Sequence, residues 1–179
     1  MNDEKIVRAI RDGSEAAIGQ VIDRYSRLMW SIVSAVLKNT GAEQDVEECV
    51  ADVFIYLWEN PGKYDPQRGK LKAWLSVVAR SRAIDRYREL SRRNDVPLED
   101  TFIADRIGAA DRVLARETRQ DLIRAIEALE ELDGEILIRR YYREQKPREI
   151  ALALDMPVKQ VENRLYRAKK KCRNMISDS

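Results

Sequence analysis

The chain has 179 residues, 44% of them apolar and 36% charged, with a net charge of +2 at pH 7. That length suits one ordinary domain or two small ones, and the apolar share is too high for a disordered chain even though the charged share exceeds the usual ~25%. No run approaches the ~18 apolar residues of a membrane span and Met1-Asn2-Asp3-Glu4 does not open a signal peptide, while the absence of histidine and of a glycine-rich phosphate loop weakens most enzyme readings.

Hydrophobic spacing is helical along nearly the whole chain. Ile6 and Ile10 predict a short helix ending near Asp12-Gly13, and Ser14 is placed to cap a second that carries Val21, Tyr25, Leu28, Ile32 and Val36 to about Lys38. A third is predicted over 43–59. Its apolar stripe is Val46, Val50, Val53, Phe54, Leu57 and Trp58; its other face holds Asp45, Glu48, Asp52 and Glu59. Asn60-Pro61-Gly62 stops it, and a loop over 63–69 leads to a basic helix with Leu71, Trp74, Leu75, Val78, Ile84 and Tyr87. Trp74, Phe54 and Trp58 read as core. Residues 93–110, with Pro97 and Gly108, show no clear period and read as a linker. Further helices are expected from about Asp111, one of them opening on Asp133 as N-cap. No stretch alternates, so no sheet is predicted. The expected fold is all-α, with two small helical domains over 1–92 and 111–179 joined by a flexible tether over 93–110.

The net charge conceals blocks. Residues 1–60 carry 6 basic and 11 acidic side chains, 68–93 carry 9 and 2, 94–157 carry 10 and 15, and 158–179 carry 7 and 2. Two basic segments, each preceded by an acidic one, suggest a polyanion touched in two places. The acidic block over 94–157 has no account beyond a solvated surface.

Residues 147–173 read as a helix-turn-helix. Pro147 suits a first helical turn, Asp155-Met156-Pro157 makes a break, and Val158, Val161, Leu165, Ala168 and Cys172 line one face of the following helix. The opposite face shows Lys159, Gln160, Glu162, Asn163, Arg164 and Arg167, with Lys169, Lys170, Lys171 and Arg173 beyond. Such a helix offers its first turns to base edges and its later cations to phosphates. Cys49 and Cys172 fall on apolar stripes with no CxxC, which favours inert buried thiols over a zinc site or a disulfide; neither metal nor cofactor is expected.

Two stretches resemble one family, the bacterial extracytoplasmic-function (ECF) sigma factors of RNA polymerase. The first is Asp45-Val46-Glu47-Glu48-Cys49-Val50-Ala51-Asp52-Val53-Phe54 with Leu57-Trp58, then Lys63-Tyr64-Asp65-Pro66-Gln67-Arg68-Gly69 and Ala73-Trp74-Leu75 through Ala79-Arg80-Ser81-Arg82-Ala83-Ile84-Asp85. The second is Glu149-Ile150-Ala151 with Val161, Arg164-Leu165 and Arg167-Ala168. The resemblance implies a cytoplasmic, non-catalytic subunit that binds core RNA polymerase, through the clamp helices of its largest subunit and its flap, and recognises promoter DNA; no small-molecule substrate is implied. Asp45, Glu48 and Asp52 would grip the clamp. Tyr64 would stack on or wall a flipped base of the −10 element, with Arg68, Arg80, Ser81, Arg82, Arg86 and Arg88 around the opened strand. Lys159, Gln160, Asn163, Arg164, Arg167 and Lys170 would read the −35 element. The linker would thread the polymerase near the RNA path, and an anti-sigma factor would hold the protein inactive.

The sequence departs from the family pattern at five places. Ala51 replaces a glutamine of the clamp-binding helix, Ser81 an asparagine, Glu162-Asn163 a Lys-Ser pair, Asp155 the turn glycine and Pro157 a serine cap. Two other classes compete. A stand-alone dimeric regulator has no need of the basic, aromatic segment 64–93. A nucleic-acid-processing enzyme holding metal on Asp45, Glu48 and Asp52 lacks a second acidic cluster and histidine.

Overall fold

The computed structural model describes residues 2–94 and 100–177, and among them there are eight α-helices, one 3-10 turn and no strand. The helices are α1 (Asp3–Arg11), α2 (Glu15–Leu37), α3 (Glu43–Glu59), α4 (Leu71–Arg93), α5 (Asp100–Glu127), α6 (Glu131–Tyr141), α7 (Pro147–Ala153) and α8 (Val158–Ser177), with the 3-10 turn at Pro61–Lys63. The chain divides into two compact units, Met1–Glu117 and Thr118–Ser179.

Local chemistry accounts for the boundaries. The Asn2 side chain accepts from the Glu4 amide and the Ser14 hydroxyl from the Ala17 amide, capping α1 and α2. Gly13 takes φ +83 in the turn between them. At the end of α2 it is Asn39, at φ +63, that enters the left-handed region; an asparagine tolerates it. Gly41 is required by close approach instead, since a Cβ there would sit 3.3 Å from both the Asp45 Cβ and a Leu90 methyl. The α2–α3 turn therefore lies hard against α3 and α4. Asp45 completes α3 by accepting from the Ala42 amide at 2.7 Å.

The first unit packs α2 against both α3 and α4 around Met29, Ile32, Val33, Val53, Leu57, Leu71 and Leu75, each at most 1% exposed. At roughly 25 cal/mol per Å² of apolar surface removed from water, side chains of this kind are the main source of its stability. The second unit buries Ile136, Ile150, Val161 and Ala168, where α6 and α7 meet α8. Asp155 occupies the helix-turn-helix break at φ +50, so an aspartate adopts the conformation for which the family uses glycine.

Three expectations change. Residues 100–110, read as linker, are helical: α5 begins at Asp100, and Ile103, Ile107, Ala110 and Val113 pack on the core of the first unit. Their 3–4 spacing was blurred by Gly108 and the small alanines Ala104 and Ala109, which give the segment no clear polar face. The unit boundary consequently falls inside α5, and 95–99 of the expected linker lie outside the described residues. Second, Asp133 is not the N-cap of α6, which starts two residues earlier. Third, Trp58 is not core; it is 37% exposed.

Leu57→Ala removes a side chain with no exposed surface and should lower the unfolding free energy by about 2–5 kcal/mol. The measurement is the urea midpoint; an unmoved midpoint would contradict this packing.

Candidate nucleic-acid and polymerase interfaces

Helix α4 carries most of the expected −10 cations, and it is flanked on both sides. Toward α3, the Arg86 guanidinium donates to Asp45 Oδ1 at 2.7 Å and to Glu48 Oε2 at 3.0 Å, while its other Nη donates to Glu89 Oε2 at 3.0 Å. The Ala42 amide first, and then Arg86, hold the Asp45 carboxyl below its ordinary range; the Asp45 hydrogen bond holds Arg86 above its own. Arg82 lies over the Tyr56 ring, 5.0 Å from its centroid, and Tyr56 stacks on Trp74 at 6.0 Å. Toward α5, Arg80 donates to Asp111 Oδ1 at 2.7 Å, and the Lys72 ammonium lies 3.9 Å from Glu117. Between these flanks Val77, Ser81 and Arg88 share the exposed face, with Arg88 paired one turn back to Asp85 at 3.4 Å. Arg68, in the loop before α4, is open to solvent with Asp65 at 4.0 Å.

Tyr64 is not exposed to a base. It is 5% exposed, its hydroxyl donates to the Gly69 carbonyl at 3.0 Å, and its ring meets Trp74 edge-on at 6.1 Å. Its role in this structure is to close the 64–69 loop. Burial, followed by the nearby Asp3 carboxylate, pushes its phenol up to about 12.

The three acidic candidates on α3 separate. Asp45 caps its own helix and binds Arg86, Glu48 shares that arginine, and Asp52 is exposed with no ion pair among the described residues. None of the three lines the groove of about 490 Å³ between α2 and α3, whose carboxylate is Glu47. Its walls are almost wholly apolar, formed by Ile18, Ile22, Trp30, Phe54, Ile55 and Trp58, with Ala51 also in the lining. Ile22, Ile55 and Trp58 stand 38%, 50% and 37% exposed. Sequence reading missed it because Ile55 falls outside the stripe read for α3, and only the α2–α3 crossing brings Ile22, Ile55 and Trp58 together uncovered.

On the second unit, Lys159, Gln160, Asn163, Arg167 and Lys170 lie along α8, all of them exposed. Arg164 is withdrawn from that face. It donates to Asp133 Oδ1 at 2.7 Å and lies 3.7 Å from Glu130, so it ties α8 to the start of α6, and its hydrogen bond to Asp133 raises its basicity. A second groove of about 490 Å³, between α6 and α8, joins Arg140 and Tyr141 to Glu162, Tyr166, Lys169 and Arg173. The Tyr141 ring carries Arg140 at 5.7 Å and Lys169 at 5.5 Å, and Tyr166 is 70% exposed. The sequence reading did not single them out: Tyr141 lies on a different helix, and Tyr166 stands outside the stripe Val161, Leu165, Ala168.

Both cysteines are buried. Burial, then Asp52, pushes the Cys49 thiol up to about 11, and burial raises that of Cys172. No group of three or more potential metal-ligating side chains exists among the described residues.

An exposed basic helix-turn-helix with a second basic helix in a separate unit defines a DNA-binding transcription protein. Comparison with known proteins narrows the class. A model described as Sigma-70 region 2 matches residues 21–93, and one described as Sigma-70, region 4 matches 119–172. The chain is 27% identical over 175 residues to the ECF RNA polymerase sigma factor RpoE of Cereibacter sphaeroides, covering 96% of this chain and 93% of that protein. It is 27% identical over 142 residues to SigK of Mycobacterium sp. (strain KMS), covering 76% and 71%, and 23% identical over 186 residues to SigK of Mycobacterium tuberculosis, covering 98% and 94%. The solved structure of CnrH in complex with the cytosolic domain of CnrY aligns over 99% of this chain and 98% of that one, at 22% identity and a TM-score of 0.42. The chain belongs to the sigma-70 family, as an ECF sigma factor: a subunit that directs promoter-specific initiation by binding core RNA polymerase and recognising promoter DNA.

Tyr64→Phe removes one hydrogen bond and should cost about 0.5–1.5 kcal/mol while leaving promoter preference unchanged. The pH signature is specific. A folded-state pKa above the unfolded value of 10 gives a contribution that is complete below pH 10 and lost as pH rises through about 12. Stability curves against alkaline pH should therefore converge for wild type and variant; parallel curves would refute this burial.

Proposed function

We propose that the first unit grips core polymerase and handles the −10 element, and that the second reads the −35 element as duplex. The observation that carries this is the cationic face of α8, in Lys159, Gln160, Asn163, Arg167 and Lys170, beside the Tyr141–Tyr166 groove. Gln160, Asn163 and Arg167 supply side chains that pair with adenine or guanine edges, and Lys170 a phosphate contact. Arg164 serves instead as the strut that sets the angle of α8.

The polymerase-binding surface is the apolar α2–α3 groove, with Glu47 as the carboxylate in its lining and Glu48 and Asp52 on the same helix outside it. Protein interfaces draw most of their energy from desolvated aromatic and aliphatic anchors, with rim charges steering the approach. Ala51, which departs from the family's glutamine, fits this apolar lining. Ile22, Ile55 and Trp58 are the anchors, and an anti-sigma factor covering them would keep the protein from polymerase. On α4, Ser81 and Arg88 face the opened −10 strand, with Arg80, Arg82 and Arg68 at its edges; Arg86 is a brace between helices. Catalysis stays with the polymerase, and the protein works in the cytoplasm. Among the described residues no helix is long and apolar enough to cross a membrane.

The test is transcription in vitro with core polymerase over a promoter library. Arg167→Ala should change preference in the −35 region, and Ser81→Ala should affect opening at the −10 element. Trp58→Ala and Ile55→Asp should weaken core binding at least about tenfold without altering preference among promoters. Promoter binding by the protein alone, as tight as with core, would overturn the assignment.

A further inference from the structure

The first half of α5 is held on the first unit at several independent points. Ile103, Ile107, Ala110 and Val113 pack on its core, with Ala110 only 3% exposed. Arg106 donates to the Lys38 carbonyl at the end of α2, at 2.7 Å, and its guanidinium lies 5.2 Å from the Tyr87 ring centroid. From this anchored position Asp111 accepts from Arg80 at 2.7 Å, and Glu117 lies 3.9 Å from the Lys72 ammonium. A small cleft between α4 and α5, lined by Ile32, Ser76, Val77, Arg80, Asp111 and Leu114, marks the seam.

We propose that this stretch of α5 is an acidic mask over the edge of the −10 surface. Its two carboxylates take the places that backbone phosphates of the opened strand need on Arg80 and Lys72, and promoter DNA must displace them. The inference rests on the assignment of α4 to the −10 element. Three features support it. The acids meet α4 cations beside its solvent-exposed face. The helix bearing them is fixed by apolar and hydrogen-bonded contacts that do not involve those cations. The Arg80–Asp111 pair is part-exposed, with side-chain exposures of 36% for Arg80 and 57% for Asp111, while Lys72 and Glu117, more enclosed at 16% and 33%, extend the mask along α4. Exposed pairs of this kind are weak enough for a polyanion to exchange with them. The mask therefore lowers affinity for stray nucleic acid without locking the surface. It also accounts for part of the acidic block over 94–157.

The experiment uses the full chain without polymerase and a dye-labelled single-stranded DNA oligonucleotide, with anisotropy read across a salt series. The double variant Asp111→Asn, Glu117→Gln should bind about three- to tenfold more tightly at low salt. It should also show a steeper salt dependence, by about 0.7 in the log–log slope for each phosphate newly engaged. The control is Asp23→Asn, Asp105→Asn, which removes the same charge from exposed acids. Adding Arg80→Ala to the masked-acid variant should abolish much of the gain. No gain, an equal gain in the control, or a gain that survives loss of Arg80 and Lys72 together would overturn the proposal. Arg80→Ala in promoter opening with core polymerase tests the −10 assignment separately. Normal opening would sink that assignment even if the free chain showed the masking gain; defective opening with no masking gain would sink the mask alone.

Discussion

The cations of α4 lie among acidic neighbours and pair with them, and this constraint sets which part of the helix the first unit leaves open. Arg86 satisfies Asp45 and Glu48 on one side, and Arg80 satisfies Asp111 on the other. The pairing does more than neutralise charge. Asp45 also caps α3 through the Ala42 amide, and the turn before it is pressed so closely on Leu90 that glycine stands at 41. Arg86 thus ties together the start of α3, the α2–α3 turn and the middle of α4. Between the two flanks the exposed surface includes Val77, Ser81 and Arg88, with Asp85 paired to Arg88. A helix that looks from its sequence like a uniformly basic rod is in fact a strip of accessible surface between two rows of ion pairs.

How much of this the sequence discloses depends on the range of the interaction. Helix α3 was legible to the residue, because its stripe and its stop at Asn60-Pro61-Gly62 are local signals, and the Ser14 cap likewise. The helix-turn-helix was legible because Val161, Leu165, Ala168 and Cys172 repeat at helical spacing and Pro147 and Pro157 punctuate it. Helix α5 before residue 111 was not, since Gly108 and small alanines blur its period and Arg106 is held by partners far away in sequence, the Lys38 carbonyl just after α2 and the Tyr87 ring on α4. Site residues divide on the same principle. The outward placement of Arg167 or Lys170 follows from the phase of their own helix. The burial of Tyr64 follows from a hydrogen bond to Gly69 and an edge contact with Trp74, and the withdrawal of Arg164 follows from Asp133, some thirty positions earlier. A tyrosine in a polar loop and an arginine on a polar face give no sign of such partners.

The two basic surfaces consequently differ in kind. On α8 one arginine of the reading face, Arg164, is consumed in bracing the helix, while Lys159, Arg167 and Lys170 stay exposed. Duplex DNA can meet that face without breaking the Arg164 brace. On α4 nearly every cation has an intramolecular partner, so each phosphate contact must replace an existing one, and the net gain per contact is the difference between two exposed ion pairs of about 1 kcal/mol or less. A surface built this way binds weakly by itself and discriminates against polyanions in general. It becomes useful when other contacts hold the strand in place, because the exchange of one carboxylate for one phosphate is then almost free of cost. On the proposed assignment of α4 to the −10 element and α8 to the −35 element, pairing the α4 cations internally while leaving those of α8 open is a physically sufficient way to make promoter affinity depend on polymerase.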